Sequence, residues 1–196
     1  MSMFCFQCEQ TAGGKGCTKI GVCGKSAVVS NSQDELTCAL VGLARAAKGT
    51  GAGKRANELM VQSLFATVTN VNFDDARIRE LITLVTQEKQ ALGGAADLDS
   101  EMLWSGDTDI ISLRSTLLLG MRGMAAYAYH AHVLGKEDID VTNWFFKGMK
   151  ALGEEYTVEQ WLDLLMEFGN VNLKCMALLD EANTSAYGHP VPVKVT

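Results

Sequence analysis

Four cysteines, Cys5, Cys8, Cys17 and Cys23, stand within nineteen residues in the pattern C-x2-C-x8-C-x5-C. No other feature restricts the fold as strongly. The same stretch holds Gly13, Gly14, Gly16, Gly21 and Gly24 and shows no sustained helical period. It predicts a loop over residues 1–30 wrapped around a bound group. Four thiolates this close suit tetrahedral zinc or an iron–sulfur cluster. A zinc ribbon usually presents two C-x2-C knuckles, and this loop has one. The short, glycine-rich middle gap suits an object larger than a single ion, so the spacing favours iron–sulfur, with zinc as the alternative. Glycines also let backbone N–H groups approach sulfur. Phe4 and Phe6 flank the first pair and can keep water away, while Lys15, Lys19 and Lys25 add positive charge.

From Asn31 onward the apolar spacing is helical. Ser32 is a plausible N-cap, and Leu36, Leu40, Leu43, Ala44 and Ala47 share one face. A second helix fits 54–70, and a third runs from Asn72 or Asp74 to Leu92, stopped by Gly93-Gly94. Residues 95–108 are acidic and read as a linker. A long helix fits 109–134, closed by Gly135, and a fifth fits 141–152. Thr157 and Gln160 form a capping-box pattern for a sixth over 158–168, and a seventh fits 171–183. The residues after it, with Pro190 and Pro192, predict an extended tail over 184–196. The expected fold is all-α: a cysteine-rich cluster-binding loop (1–30), a first helical bundle (31–94), the linker, a second bundle (109–183) and the tail.

Seventeen basic against twenty-three acidic residues give a net charge of −6, which argues against sequence-blind nucleic-acid binding. No run of about eighteen uncharged apolar residues reads as a membrane span. The start of the chain does not read as a signal peptide, so the expected location is the cytoplasm. In that reducing compartment, clustered cysteines more often bind metal or do redox work than form disulfides. Cys38 and Cys175 sit in helical text and read as buried packing residues. His130 and His132, two apart on a helix, cannot bind one metal in the usual i, i+4 manner. Met121 and Met124 read as core, His189 as an exposed loop residue, and no Ser/His/Asp or Cys/His arrangement stands out.

Met3 to Thr11 (MFCFQCEQT) and Gly16 to Lys25 (GCTKIGVCGK) closely resemble the start of the hybrid cluster protein family, also called prismane or hydroxylamine reductase. Gly120 to Gly135 (GMRGMAAYAYHAHVLG) and Asn172 to Val195 (NLKCMALLDEANTSAYGHPVPVKV) are similar to it as well. The resemblance implies a cubane 4Fe-4S cluster on Cys5, Cys8, Cys17 and Cys23, with a smaller iron–sulfur cluster as the family's variant. It also implies a first domain of two three-helix bundles. Family members are more than twice this length, and the hybrid cluster that reduces hydroxylamine or nitric oxide is held in two later α/β domains. Those domains are absent here, so no hybrid cluster and no catalysis by this chain alone are expected. The implied role is electron transfer from a redox donor protein toward those domains. The alternative is a helical interaction module with a structural zinc or cluster site. The face left by the absent domains is then a possible homodimer surface.

Overall fold

The Ser26 hydroxyl accepts a hydrogen bond from the Val29 N–H at 3.2 Å and starts the first helix, α1 (Ala27–Ala46). This satisfies an N–H that the first helical turn leaves without a partner. The expected cap, Ser32, instead lies buried inside α1 and donates to Asp75 Oδ1 at 2.6 Å. The helix thus begins within the stretch read as loop. The computed structural model describes residues 2–192. The end of the predicted tail, 193–196, and Met1 lie outside the described residues.

The other helices are α2 (Lys54–Ala66), α3 (Asp75–Ala91), α4 (Ser100–Leu103), α5 (Thr108–Val133), α6 (Ile139–Ala151) and α7 (Val158–Tyr187). Asp74, Asp99, Asp107 and Asp138 cap α3 to α6 through their carboxylates. Among the described residues there is no β-sheet, and the all-α class holds. Four boundaries depart from the sequence reading. The second helix stops at Ala66, with Thr67 closing it. The 95–108 stretch carries α4 and buries Leu98 and Leu103, so it is part of the packed structure. The sixth and seventh predicted helices are one thirty-residue helix, α7. That helix runs on to Tyr187, four residues into the predicted tail, until Gly188 turns the chain at a φ of +81°.

Gly169 lies where the two helices were expected to part. A glycine mid-helix costs about 1 kcal/mol relative to alanine, which the apolar face of α7, with Trp161, Leu164 and Cys175 all buried, can outweigh. The start of α7 is held by a reciprocal pair. Thr157 Oγ1 accepts from the Gln160 N–H at 3.3 Å, and Gln160 Oε1 accepts from the Thr157 N–H at 2.9 Å. Thr157→Ala is expected to lower stability by about 1 kcal/mol in chemical denaturation. No measurable loss would mean the box contributes nothing.

Helix α1 packs against α3, and α5 against α7, while α2 bridges α3 to α5 and α6 lies against α1 and α7. Buried apolar residues from all these helices form one continuous cluster. Close approach depends on small residues at two crossings. A Cβ on Gly42 of α1 would fall on Asp97 Oδ1, where Asp97 pairs with the buried Lys89 of α3. A Cβ on Gly120 of α5 would stand 2.7 Å from the ring of Phe168 in α7. No helix among the described residues is long and apolar enough to cross a membrane.

Candidate metal centre

Cys5 and Cys17 are held side by side by backbone. The Cys5 N–H donates to Cys17 O at 3.1 Å and the Cys17 N–H to Cys5 O at 2.8 Å, an isolated antiparallel bridge that Met3 N–H to Thr18 O extends at 3.2 Å. The chain reverses between them through a short 3-10 turn at Ala12–Gly14. Thr11 ties this turn down. Its N–H reaches Cys8 O at 3.2 Å, its hydroxyl donates to Cys5 O at 3.0 Å, and the same oxygen lies 3.7 Å from Cys17 Sγ. Cys23 sits on a second turn, closed by Gly21 N–H to Lys25 O at 2.8 Å. A Cβ on Gly21 would stand 3.0 Å from Cys23 Sγ, so the position suits a residue without one.

The four cysteines are not equivalent. Cys17 is buried, Cys5 and Cys8 are half-buried, and Cys23 is exposed. The loop brings Cys5 and Cys17 together. Among the described residues, no three His, Cys, Asp or Glu side chains gather closely enough to hold a metal ion.

The electrostatics around the loop favour negative charge on sulfur. Hydrogen bonds with the backbone of Ala12 and Val22 hold the Cys17 thiol below its ordinary pKa, against the opposing effect of burial, with Thr11 and Lys25 adding to the lowering. Lys25 is only 1% exposed. Its ammonium donates to Gln33 Oε1 at 2.7 Å and lies 3.6 Å from Cys5 Sγ. A buried cation whose one close oxygen partner among the described residues is a neutral amide costs several kcal/mol unless an anion offsets it. A negatively charged group bound by these thiolates would be such an anion. The donor set and the buried ammonium therefore fit an iron–sulfur cluster.

Phe4 and Phe6 pack on each other with ring centroids 5.4 Å apart, and Phe6 meets Trp104 edge-on at 5.3 Å. Trp104 follows α4 in the stretch read as a linker, so its part in the wall was not foreseen. Arg122 was not foreseen either. It lies mid-α5, 2% exposed, and donates from Nη2 to Thr37 Oγ1 of α1 at 2.9 Å. The one sequence signal for it was a lone arginine inside the apolar 117–134 stretch.

Asp34 of α1 shares this interior. Burial pushes its carboxyl up to about 6, against the pull of Arg122, the Trp104 indole and Lys25. The fold thus binds the Asp34 proton more tightly than the unfolded chain does. That contribution to stability is fully present below pH 4 and is lost as pH rises through 6. Asp34→Asn is expected to stabilise the protein at pH 7.5 by on the order of 1–3 kcal/mol and to flatten this part of the pH dependence. Denaturation midpoints of both proteins at pH 5 and 7.5 check it, and a destabilised variant at pH 7.5 would contradict the sign.

Cys38 and Cys175 behave as packing residues. Both are buried, and desolvation pushes both thiols up to about 12. Cys175 Sγ contacts Met124 O at 3.6 Å. His132 Nδ1 lies 2.6 Å from Glu137 Oε1, and His130 packs edge-on against Phe65. Neither reaches the cysteine loop's hydrogen bonds.

Residues 3–196 match the Prismane/CO dehydrogenase family. Among similar proteins are a hydroxylamine reductase of Syntrophobacter fumaroxidans, 41% identical, and one of Solidesulfovibrio magneticus, also 41% identical, each covering 98% of this chain and 42% of the relative. A hydroxylamine reductase of Caldanaerobacter subterraneus is 38% identical over all of this chain and 42% of its own length. The chain thus spans about two fifths of the length of the curated relatives it matches. The first alignment covers 228 residues against the 196 of this chain, so that relative carries additional residues inside the matched span.

Proposed function

The chain belongs to the Prismane/CO dehydrogenase family, and on that basis we propose that it is the iron–sulfur electron-transfer part of a hydroxylamine reductase. Cys5, Cys8, Cys17 and Cys23 would hold a 4Fe-4S cluster. When bound, such a cluster supplies one-electron storage at a potential set by its surroundings. The chain's own residues supply ligation, screening and charge. The Cys5–Cys17 bridge fixes two thiols, Phe4, Phe6 and Trp104 exclude water on one side, and Lys25 places positive charge against sulfur. The observation that carries this reading is the fully buried Lys25 beside Cys5.

In this reading, electrons pass between a redox donor protein and the remaining three fifths of the parent enzyme, and the protein works in the cytoplasm. A groove lined by Phe4, Asp34, Asp97 and Glu101 opens beside the loop and offers a donor a route to it. Catalysis in this reading belongs to the parts of the relatives outside the matched span, so turnover of hydroxylamine by these 196 residues alone should stay at background.

A second reading, a helical interaction module with structural zinc, draws on one observation. Leu162, Met166, Leu173 and Met176 are exposed along one face of α7, at the spacing of a docking stripe. Iron, acid-labile sulfide and zinc per chain, measured on protein purified without oxygen, separate the two. About four iron and four sulfide per chain support the electron-transfer reading. About one zinc, with iron absent even after reconstitution, would replace it with the second.

A further inference from the structure

Arg122 is an almost fully enclosed charge with little to neutralise it. Of its three guanidinium nitrogens only Nη2 has a protein partner, Thr37 Oγ1; Nε and Nη1 are buried without one. No carboxylate among the described residues pairs with it directly. Thr37 Oγ1 in turn donates to Gln33 O at 2.8 Å, and the Gln33 side chain accepts from Lys25 Nζ, so one hydrogen-bonded chain runs from Arg122 to the ammonium beside Cys5. Asp34 and the Cys5 thiol are the acidic groups nearest in charge to it. Lys25, equally buried, is the member of that chain that reaches sulfur, 3.6 Å from Cys5 Sγ. Two enclosed cations therefore face one carboxylate and the cysteine loop. Leaving buried cations uncompensated is costly, so the arrangement calls for further negative charge at the cysteines.

We infer that Arg122 is the fixed counter-charge of the anion held by the cysteine loop, and that it raises that anion's reduction potential. The inference rests on the iron–sulfur reading above and adds a positioning residue contributed by a helix nearly one hundred residues away in sequence. The sign follows from charge balance. Reduction by a one-electron donor adds one negative charge to the loop and moves no proton. A fixed guanidinium in a low-dielectric surround favours the more negative state. Asp34, when ionised, acts in the opposite sense.

The test is a reductive titration with dithionite of the full chain, purified without oxygen and followed by visible absorbance and electron paramagnetic resonance at pH 8. Wild type, Arg122→Met, Arg122→Lys and Asp34→Asn are compared, each with its iron and sulfide content. Arg122→Met is expected to make reduction about tenfold less favourable, about 59 mV for one electron. Arg122→Lys should keep most of the wild-type value, and Asp34→Asn should shift the opposite way. A loosened structure cannot give opposite shifts from two neighbouring sites, so the sign reversal distinguishes charge from packing. If Arg122→Met cannot retain iron, Arg122→Lys and Asp34→Asn decide. An unshifted potential in loaded Arg122→Met or Asp34→Asn, or Asp34→Asn moving the same way as Arg122→Met, would overturn the inference and leave the iron–sulfur reading standing. Wild type that binds no iron under any condition would remove both.

Discussion

Serine in place of Cys5, Cys8, Cys17 or Cys23 is expected to take bound iron from about four per chain to well below one. In the proposed site each thiolate would be one of four ligands, and an alkoxide is a far poorer donor to iron at neutral pH. The loop has little means of compensating, because Cys38 and Cys175 are enclosed in helices with thiols pushed up to about 12. Cys38→Ala and Cys175→Ala should therefore keep full iron, and any loss they show should be in stability alone. Among the four, Cys17→Ser should be the most damaging to loop structure as well, since Cys17 is buried within the bridge to Cys5. Cys23 is exposed, so Cys23→Ser should leave the helical fold intact while still losing iron. Iron and sulfide assays beside far-ultraviolet circular dichroism separate these effects. Full iron in Cys23→Ser would remove that residue from the ligand set, and full iron in all four would end the cluster assignment.

Truncation of Phe145 is expected to have the largest effect on stability, about 3–5 kcal/mol for Phe145→Ala. Its ring is wholly buried in α6, the helix that lies against α1 from the first half of the chain and α7 from the second. Loss of such a side chain removes its transfer free energy and leaves a cavity that well-packed neighbours only partly fill. Against a total stability of about 5–15 kcal/mol, that is a large fraction. Because the apolar cluster is continuous, the whole chain should unfold in one transition at lower denaturant. Two transitions, with only one of them moved by Phe145→Ala, would show instead that α1–α3 and α5–α7 fold as separate bundles.

What was legible in the sequence was what neighbours along the chain decide. A helix start needs only a side-chain oxygen two or three residues from an unpaired N–H, so Thr157 with Gln160 and Asp74 were readable as caps. An amphipathic face repeats within one turn, so the all-α class followed from the spacing of Leu36, Leu40 and Leu43 and its later counterparts. The four cysteines could be put forward as a set because all lie on one short, glycine-rich loop, and the fold brings Cys5 and Cys17 of that set side by side.

Long-range packing decided the rest. Ser32 has the chemistry of a cap, yet its hydroxyl goes to Asp75 on α3, and Ser26 caps α1 in its place. Gly169 has the look of a break, but the burial of α7 against α5 and α6 keeps the helix running through it. Leu98, Leu103 and Trp104 lie in an acidic, glycine-containing stretch, and only the fold shows that they close the core and wall the cysteine loop. Arg122 is the clearest case. By itself the sequence determined which sulfur atoms share one short loop, since spacing and loop length are local properties. Only the tertiary structure decided which charges stand behind those atoms, because a cation's influence depends on its distance and burial, and these are set by the packing of α5 on the rest of the molecule.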